Sequence, residues 1–203
     1  PRPAREHSSE STCHERGSTR PRPSSVAMQS IERIPESEIV SDVITSTLLA
    51  ALRNAYDLDW NGIHGIAHWQ RVRENGLRLA AQTGASPAVV ELFAFLHDIK
   101  RRNDGRDPDH GRRAADWARH APNKVFRLDD KDFELLLYAC EHHTEGLTLA
   151  DVTVQTCWDA DRLDLGRVGI IPTPPRLCTA AARDADVIAW AIRRSQNWQT
   201  VGR

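Results

Sequence analysis

Apolar residues from Pro35 onward recur at intervals of three and four, the spacing that places them on one face of an α-helix. No stretch shows the apolar–polar alternation with a period of two that marks a half-buried strand. The longest apolar stripes predict helices over 35–56 and 66–82 and from Pro87 to Leu96. The sequence therefore predicts an all-α fold.

Capping and breaking residues mark the ends of the predicted helices. Ser86-Pro87 is typical of an N-cap followed by a first-turn proline, and Gly84 is a typical stop. The charged segment 101–107 predicts a loop. We expect a single-domain bundle of six or seven helices, with the almost wholly apolar helix after Ser86 at its centre. Four later helices should begin near Asp107, at Asp129 or Asp130, near Val152 and near Leu177.

The chain divides into a tail and a domain. Residues 1–27 are rich in Pro, Arg, Ser, Glu and Thr, which predicts a disordered leader or a tail added in cloning, ahead of a start at Met28. Residues 28–203 form the predicted helical domain. The net charge of -1 offers no general attraction to nucleic acid, and no apolar run approaches the roughly 20 residues that cross a bilayer. With four cysteines that lack close pairing, these features predict a cytoplasmic protein that binds neither membranes nor nucleic acid stably.

A His-Asp pair ends the most apolar predicted helix. His97-Asp98 follows Phe95-Leu96, and a carboxylate buried there needs a positive partner. A divalent cation would serve, because imidazole and carboxylate can both bind it. The alternative is an exposed helix end at which Lys100, Arg101 and Arg102 neutralise Asp98.

Two other segments carry polar residues at helical spacing. His64 and His68 are four apart and share a face if their helix begins early enough, and Arg71 follows three residues later. Farther on, Asp161 and Asp164 share one face of an otherwise apolar segment, whereas Asp159 points away. Acids in such a segment again call for counter-charges.

The three segments together resemble the signature of the HD-domain superfamily of metal-dependent phosphohydrolases. The matching residues are His68 in H-W-Q-R-V, His97-Asp98 in F-L-H-D and Asp161 in A-D-R-L-D, and the resemblance covers roughly residues 35 to 195. It implies that His68, His97, Asp98 and Asp161 bind one divalent metal, such as Mn, Mg, Co, Ni, Zn or Fe. His64 is better placed beside the metal ligands than among them.

Further histidines raise the question of a second metal. Two-metal subgroups of the superfamily carry extra histidines in this interval, and by analogy Asp98 would bridge two ions, with His110 and either His143 or His142 on the second. The chain lacks the Gly-Tyr-Pro that the cyclic-dinucleotide subgroup carries after the histidine. Alternatively, His110 and His143 bind the substrate phosphate as imidazolium donors.

The resemblance implies attack of a metal-activated water on a small phosphoester, for which a nucleotide is the leading expectation. Asp161, Asp164 or His64 would orient the water. Cationic side chains near the motifs are the candidate phosphate ligands: Arg71, Lys100, Arg101, Arg102, His142 and Arg162.

Other functions fit the same residues. A diiron oxygenase on the same helices would need six ligands, and a metal-binding regulatory module without activity would be expected to lack a ligand, although all four are present. A DNA-binding protein is disfavoured because Arg193-Arg194 form no basic stripe. Trp190 and Trp198 are candidate contacts of a homodimer, although each also fits the chain's own core.

Overall fold

The computed structural model describes residues 36–121 and 125–201. The predicted tail over 1–27 and its boundary at Met28 lie outside them. The described chain contains no strand, and it contains nine α-helices and two short 3-10 turns, at Leu165–Val168 and Pro174–Arg176. The helices are α1 (Glu36–Ile39), α2 (Ser46–Ala55), α3 (Ile66–Thr83), α4 (Pro87–Leu96), α5 (His110–His120), α6 (Asp130–His142), α7 (Val152–Arg162), α8 (Ala180–Arg183) and α9 (Ala185–Val201).

Seven of these helices have ten or more residues, which confirms the predicted all-α bundle. The predicted caps of α3 and α4 are present: Gly84 ends α3 in the left-handed conformation at φ 75°, and the Ser86 side chain accepts from the amide of Val89. Asp129, rather than Asp130, caps α6 by accepting from the amide of Asp132.

The single helix predicted over 35–56 is wrong, because the chain breaks between α1 and α2. The Ser41 hydroxyl accepts from the amide of Ile44 at 2.9 Å, and Thr45 then caps α2 through the amide of Leu48. Side chains of this kind compete with helical hydrogen bonding. The last predicted helix is likewise interrupted, at Asp184, whose carboxylate accepts from the amides of residues 186 and 187.

Helix α4 occupies the centre of the bundle, as predicted. Val89, Val90 and every residue from Leu92 to Leu96 are buried, and α4 packs against α3, α6 and α7. The close approach of α3 depends on Gly76, where a β-carbon would collide with the Val90 side chain. Because α4 ends at Leu96 inside the bundle, the following His97-Asp98 pair emerges in its interior. None of the described helices is both long and apolar enough to span a bilayer.

Candidate metal centre

Five helices deliver polar side chains to one point in the bundle. His68 lies in the first turn of α3, His97-Asp98 follows α4, and Asp161 lies in the last turn of α7. Two more imidazole rings come from α5 and α6: His110 is the first residue of α5, and His143 directly follows α6. All of these side chains are buried except that of Asp161, which is 15% exposed.

Four of these residues, which we call the first group, have donor atoms within coordination reach of a shared ion. Nε2 of His68 lies 3.0 Å from Nε2 of His97 and 3.6 Å from Oδ2 of Asp98. Oδ1 of Asp161 lies 3.5 Å from the His68 nitrogen and 3.8 Å from the His97 nitrogen. Atoms that each lie about 2.1 Å from one ion are about 3 to 4 Å apart. The spacing therefore fits a single divalent metal.

The protonation of the two rings of the first group also calls for a cation. Nδ1–H of His97 donates to the carbonyl of Phe93 at 3.1 Å, and Nδ1–H of His68 donates to Oδ2 of Asp164 at 2.7 Å. Burial lowers the pKa of His97 to about 4 and that of His68 well below its ordinary value. Two neutral rings therefore face each other with Nε2 lone pairs, an arrangement that a bound cation would stabilise.

The carboxylate of Asp161 supplies independent evidence of fit. Its Oδ1 is buried and has no hydrogen-bond partner among the described residues. Burial alone would raise the pKa of Asp161, but neighbouring charge, including that of the Arg167 guanidinium, outweighs burial and lowers it. A buried, charged oxygen without a hydrogen bond is costly unless a cation accompanies it.

A second group consists of Asp98, His110 and His143. Oδ1 of Asp98 lies 2.9 Å from Nε2 of His110 and 3.8 Å from Nε2 of His143, and the two nitrogens are 2.8 Å apart. Their Nδ1–H groups donate to the carbonyls of Asp107 and Cys140, so these Nε2 atoms also point inward. Asp98 thus presents Oδ2 to the first group and Oδ1 to the second, the arrangement of a bridging carboxylate.

The charge state of the second group differs from that of the first. Burial alone would raise the pKa of Asp98, but the imidazoles of His97, His110, His143 and His64 around it hold the pKa well below its ordinary value. For His143, burial alone would lower the pKa, and the nearby carboxylate of Asp98 raises it instead. The second group is therefore built for a positive charge, either a second metal or a proton on His143.

His142 does not join either group. Its Nδ1 contacts the Glu145 carboxylate at 2.9 Å on the surface, whereas the next ring, His143, is buried in the cluster. Of the two histidines that the sequence leaves as alternatives, the geometry selects His143 as the candidate ligand.

A cavity of about 300 Å³, which we call the metal pocket, opens onto both groups. Its lining includes Asp98, His110, His143 and Asp161 together with three arginines, Arg101, Arg162 and Arg167. Two of these arginines are among the predicted phosphate ligands. Nη1 of Arg101 lies 3.5 Å from Oδ1 of Asp98 and its Nη2 donates to the carbonyl of Gly105, while Arg162 donates to the carbonyls of Leu147 and Arg176.

The other predicted phosphate ligands do not line the described part of the metal pocket. Lys100 donates to the carbonyl of Ala55 at 2.5 Å, on the side of Asp57. Arg71 binds both carboxylate oxygens of Asp164. Arg102 is exposed and His142 contacts Glu145, so a direct role of these four residues stays a prediction.

Two predicted catalytic residues lie beside the first group. His64 precedes α3 instead of sharing its face, because the helix begins only at Ile66, yet its Nδ1 lies 3.0 Å from Oδ2 of Asp98. Asp164 is 1% exposed and holds the Nδ1–H of His68. Asp164 therefore contacts the centre through His68, and it does not line the described part of the metal pocket.

Arg167 is absent from the sequence-based prediction. It lies in the 3-10 turn after α7, where its Nε donates to the carbonyl of Ile63 at 3.2 Å and its Nη1 lies 3.9 Å from Oδ1 of Asp161. The only sequence signal is an arginine three residues after Asp164, and no motif distinguishes it from a surface charge.

Comparison with solved structures shows that the fold is a known one. The chain is similar to the crystal structure of a predicted HD superfamily hydrolase from an uncultured Thermotogales bacterium. The likeness covers 82% of this chain and 98% of the other, with a TM-score of 0.59 and 22% sequence identity. The chain therefore shares the fold of this structure.

This fold is the one that the resemblance of the three motifs implies. Two of the polar clusters that can hold an ion, His68-His97-Asp98 and Asp98-His110-His143, are assembled from motif residues and from the extra histidines. No family model and no curated protein matches the sequence. The support for function therefore comes from the chemistry of the centre itself.

Proposed function

We propose that this HD-fold protein is a metal-dependent hydrolase of small phosphoesters, with nucleotides as the first substrates to test. The observation that carries the proposal is Asp98, whose two oxygens face two separate sets of imidazole nitrogens beside a pocket lined by arginines. Such a pocket suits a phosphate group next to one or two cations.

The ligand sets follow from the two groups. His68, His97 and Asp98, joined by Asp161 through its contacts with both rings, would hold one ion, and Asp98, His110 and His143 would hold a second. Mixed imidazole and carboxylate sets suit Mn, Fe, Co, Ni or Zn better than Mg, which prefers oxygen. A bound divalent metal would acidify a water molecule and neutralise charge on the phosphoryl group.

The remaining residues are assigned roles from their positions around the two groups. Arg101, Arg162 and Arg167 would bind the phosphate oxygens, because guanidinium groups match their geometry. His64 contacts both Asp98 and the carbonyl of Asp104, at 3.0 and 3.3 Å, and would orient a water or a substrate oxygen. We assign Asp164 a positioning role through His68.

A diiron oxygenase is the second candidate, because the two groups together supply the six ligands that such a centre needs. Oxygen uptake by the iron-loaded protein, with a mixed-valent iron spectrum, would favour it over the hydrolase. A regulatory module would bind metal in the same residues and show neither activity.

The test is a panel of nucleoside mono-, di- and triphosphates, cyclic dinucleotides and p-nitrophenyl esters, assayed with each candidate metal. Asp98→Asn should lower kcat/KM by at least about a hundredfold and reduce the bound metal. Asp109→Asn is the matched control, since Asp109 is exposed and its carboxylate lies 3.9 Å from Arg112 on the surface of α5. Equal slow rates for wild type and Asp98→Asn, with normal metal content, would contradict the hydrolase.

A further inference from the structure

A second cavity adjoins the metal pocket. It has a volume of about 410 Å³ and shares Gly146, Arg162 and Leu165 with the lining of the metal pocket. We call this cavity the apolar groove. Its remaining walls come from the segment that follows α7, namely residues 170–173, Arg176 and Leu177. The two cavities therefore lie side by side, and Arg162 lines both of them.

Exposed isoleucines form one wall of the groove. Ile170 and Ile171 are 53% and 63% exposed, although large aliphatic side chains are ordinarily buried. The backbone holds them there: Gly169 turns the chain at φ 79°, and the amide of Ile170 donates to the carbonyl of Leu165 at 3.1 Å. Pro172 continues the same wall. Adjacent exposed apolar side chains at a cavity mark a binding surface.

The polar groups of the groove are largely committed to the fold. The Arg162 guanidinium donates to the carbonyls of Leu147 and Arg176 and to Sγ of Cys178, so it joins the segments on either side of the cavity. Arg176 is exposed at the rim. The described residues that line the groove include no carboxylate and no imidazole. The groove thus offers apolar contact and little polar recognition.

We infer that the substrate carries an apolar alkyl or aryl group, which lies in the apolar groove while its phosphate lies in the metal pocket. This inference rests on the proposed function. Continuity with the metal pocket favours a substrate over a second copy of the chain, because the groove leads from its isoleucine wall to Arg162 and the arginine-lined centre. Of the two guanidinium groups in the described lining, that of Arg162 donates to backbone carbonyls and that of Arg176 lies exposed at the rim. The isoleucine wall between them suits an apolar group better than a polyphosphate chain.

The test uses binding instead of turnover. Methyl-, butyl- and octylphosphonate, which are not hydrolysed, are titrated into the Mn²⁺-loaded protein in a calorimeter. Affinity should rise by about fourfold per methylene until the groove is filled. Ile171→Ser should weaken octylphosphonate by about fivefold and leave methylphosphonate unchanged. Leu149→Ser is the matched control, because Leu149 is 85% exposed and lines neither cavity.

The outcomes separate the inference from the proposed function. Equal affinities for methyl- and octylphosphonate, or an octyl affinity that Ile171→Ser leaves unchanged, would overturn the inference. So would sedimentation showing that Ile171→Ser converts a dimer to a monomer, because the isoleucines would then be a self-association surface. If affinity rises with chain length but no phosphoester is cleaved, the result supports binding of an apolar group in the groove and contradicts the proposed hydrolase activity.

Discussion

At the level of single residues, the orientation of the imidazoles is the best determined feature of the centre. The rings of His68, His97, His110 and His143 each use Nδ1 to donate to an oxygen of the protein, which leaves every Nε2 facing inward. In three rings the acceptor is a backbone carbonyl, and only His68 relies on a side chain, Asp164. A conservative substitution cannot remove a backbone carbonyl, so His68 is the ring of these four whose orientation can be changed by substituting its acceptor, Asp164.

Asp164 and Asp159 are buried acids near the end of α7 with different partners. Asp164 accepts from His68 and Arg71, whereas Asp159 accepts from the amides of Cys178 and Thr179 at 2.7 and 2.8 Å. The first acid is thus tied to the metal centre and the second to the segment that precedes α8. The two form a natural pair for comparison.

Asp164→Asn should lower the affinity for Mn²⁺ by about 10- to 100-fold, because loss of the carboxylate loosens His68. Asp159→Asn should leave Mn²⁺ affinity unchanged and lower the free energy of unfolding by about 1 to 3 kcal/mol. Calorimetric metal titration and urea unfolding of both variants measure the two effects. An unchanged Mn²⁺ affinity of the Asp164→Asn variant would contradict the positioning role of Asp164.

At the level of helices, the second group depends on how closely α5 and α6 approach. Gly111 follows His110 in the first turn of α5, and a β-carbon there would lie 2.9 Å from the carbonyl oxygen of Glu141 and 3.0 Å from Nδ1 of His143. Only glycine allows this contact, which brings the His110 and His143 rings to 4.7 Å between centroids. Packing of two helices therefore sets the geometry of the second group.

Gly111→Ala should displace α5 from α6 and weaken metal binding at the second group, while the first group, on α3, α4 and α7, keeps its ion. The expected result is a lower metal content per chain at saturating Mn²⁺, measured by elemental analysis. Gly105→Ala serves as the control, since a β-carbon there meets only the Asn103 side chain, at 3.3 Å. A metal content equal to that of wild type would show that the second group does not bind a cation.

At the level of the whole molecule, burying neutral histidines links stability to pH. The pKa of His97 is about 4 in the fold, compared with 6.5 for an unperturbed imidazole. Between these values the unfolded chain binds more protons at this position, so the free energy of unfolding falls as pH decreases through the window. His143 acts in the opposite direction, because its pKa is raised.

The contribution of His97 can be isolated by comparing variants without metal. From about pH 6.5 to about pH 4.5, wild type should lose more stability than His97→Asn, because the variant lacks the buried ring that resists protonation. His120→Asn should follow wild type, since His120 is exposed. Urea unfolding at several pH values measures the slopes. Parallel slopes for wild type and His97→Asn would contradict a buried, neutral His97.

The cytoplasmic location and the homodimer, which concern the whole molecule, stay predictions. Trp190 packs between the guanidinium groups of Arg78 and Arg194, 4.7 and 4.3 Å from its centroid, and Trp198 has no described side chain. The proposed contact of two chains therefore has no support from Trp190 beyond its partial exposure.

The sequence by itself determined the helical class and the central helix α4, whereas the candidate ligands of the first group were implied by the resemblance to the HD superfamily. The helices follow from local rules: apolar periodicity fixes which stretches are helical, and Ser86, Pro87 and Gly84 fix where they begin and end. The break at Ser41 escaped prediction because a side-chain hydrogen bond overrode an apolar pattern that continues through it.

Only the tertiary structure decided which polar residues meet. Neighbouring helix positions point about 100° apart, so the choice of His143 over His142 depends on how α6 is rotated in the bundle. The packing of the segments that follow α4 and α7 decides three further positions in the same way. Lys100 donates to the carbonyl of Ala55, Asp164 contacts His68, and Arg167 lines the metal pocket. The packing of whole helices sets the direction of each side chain, and the spacing of residues along the chain does not predict that direction.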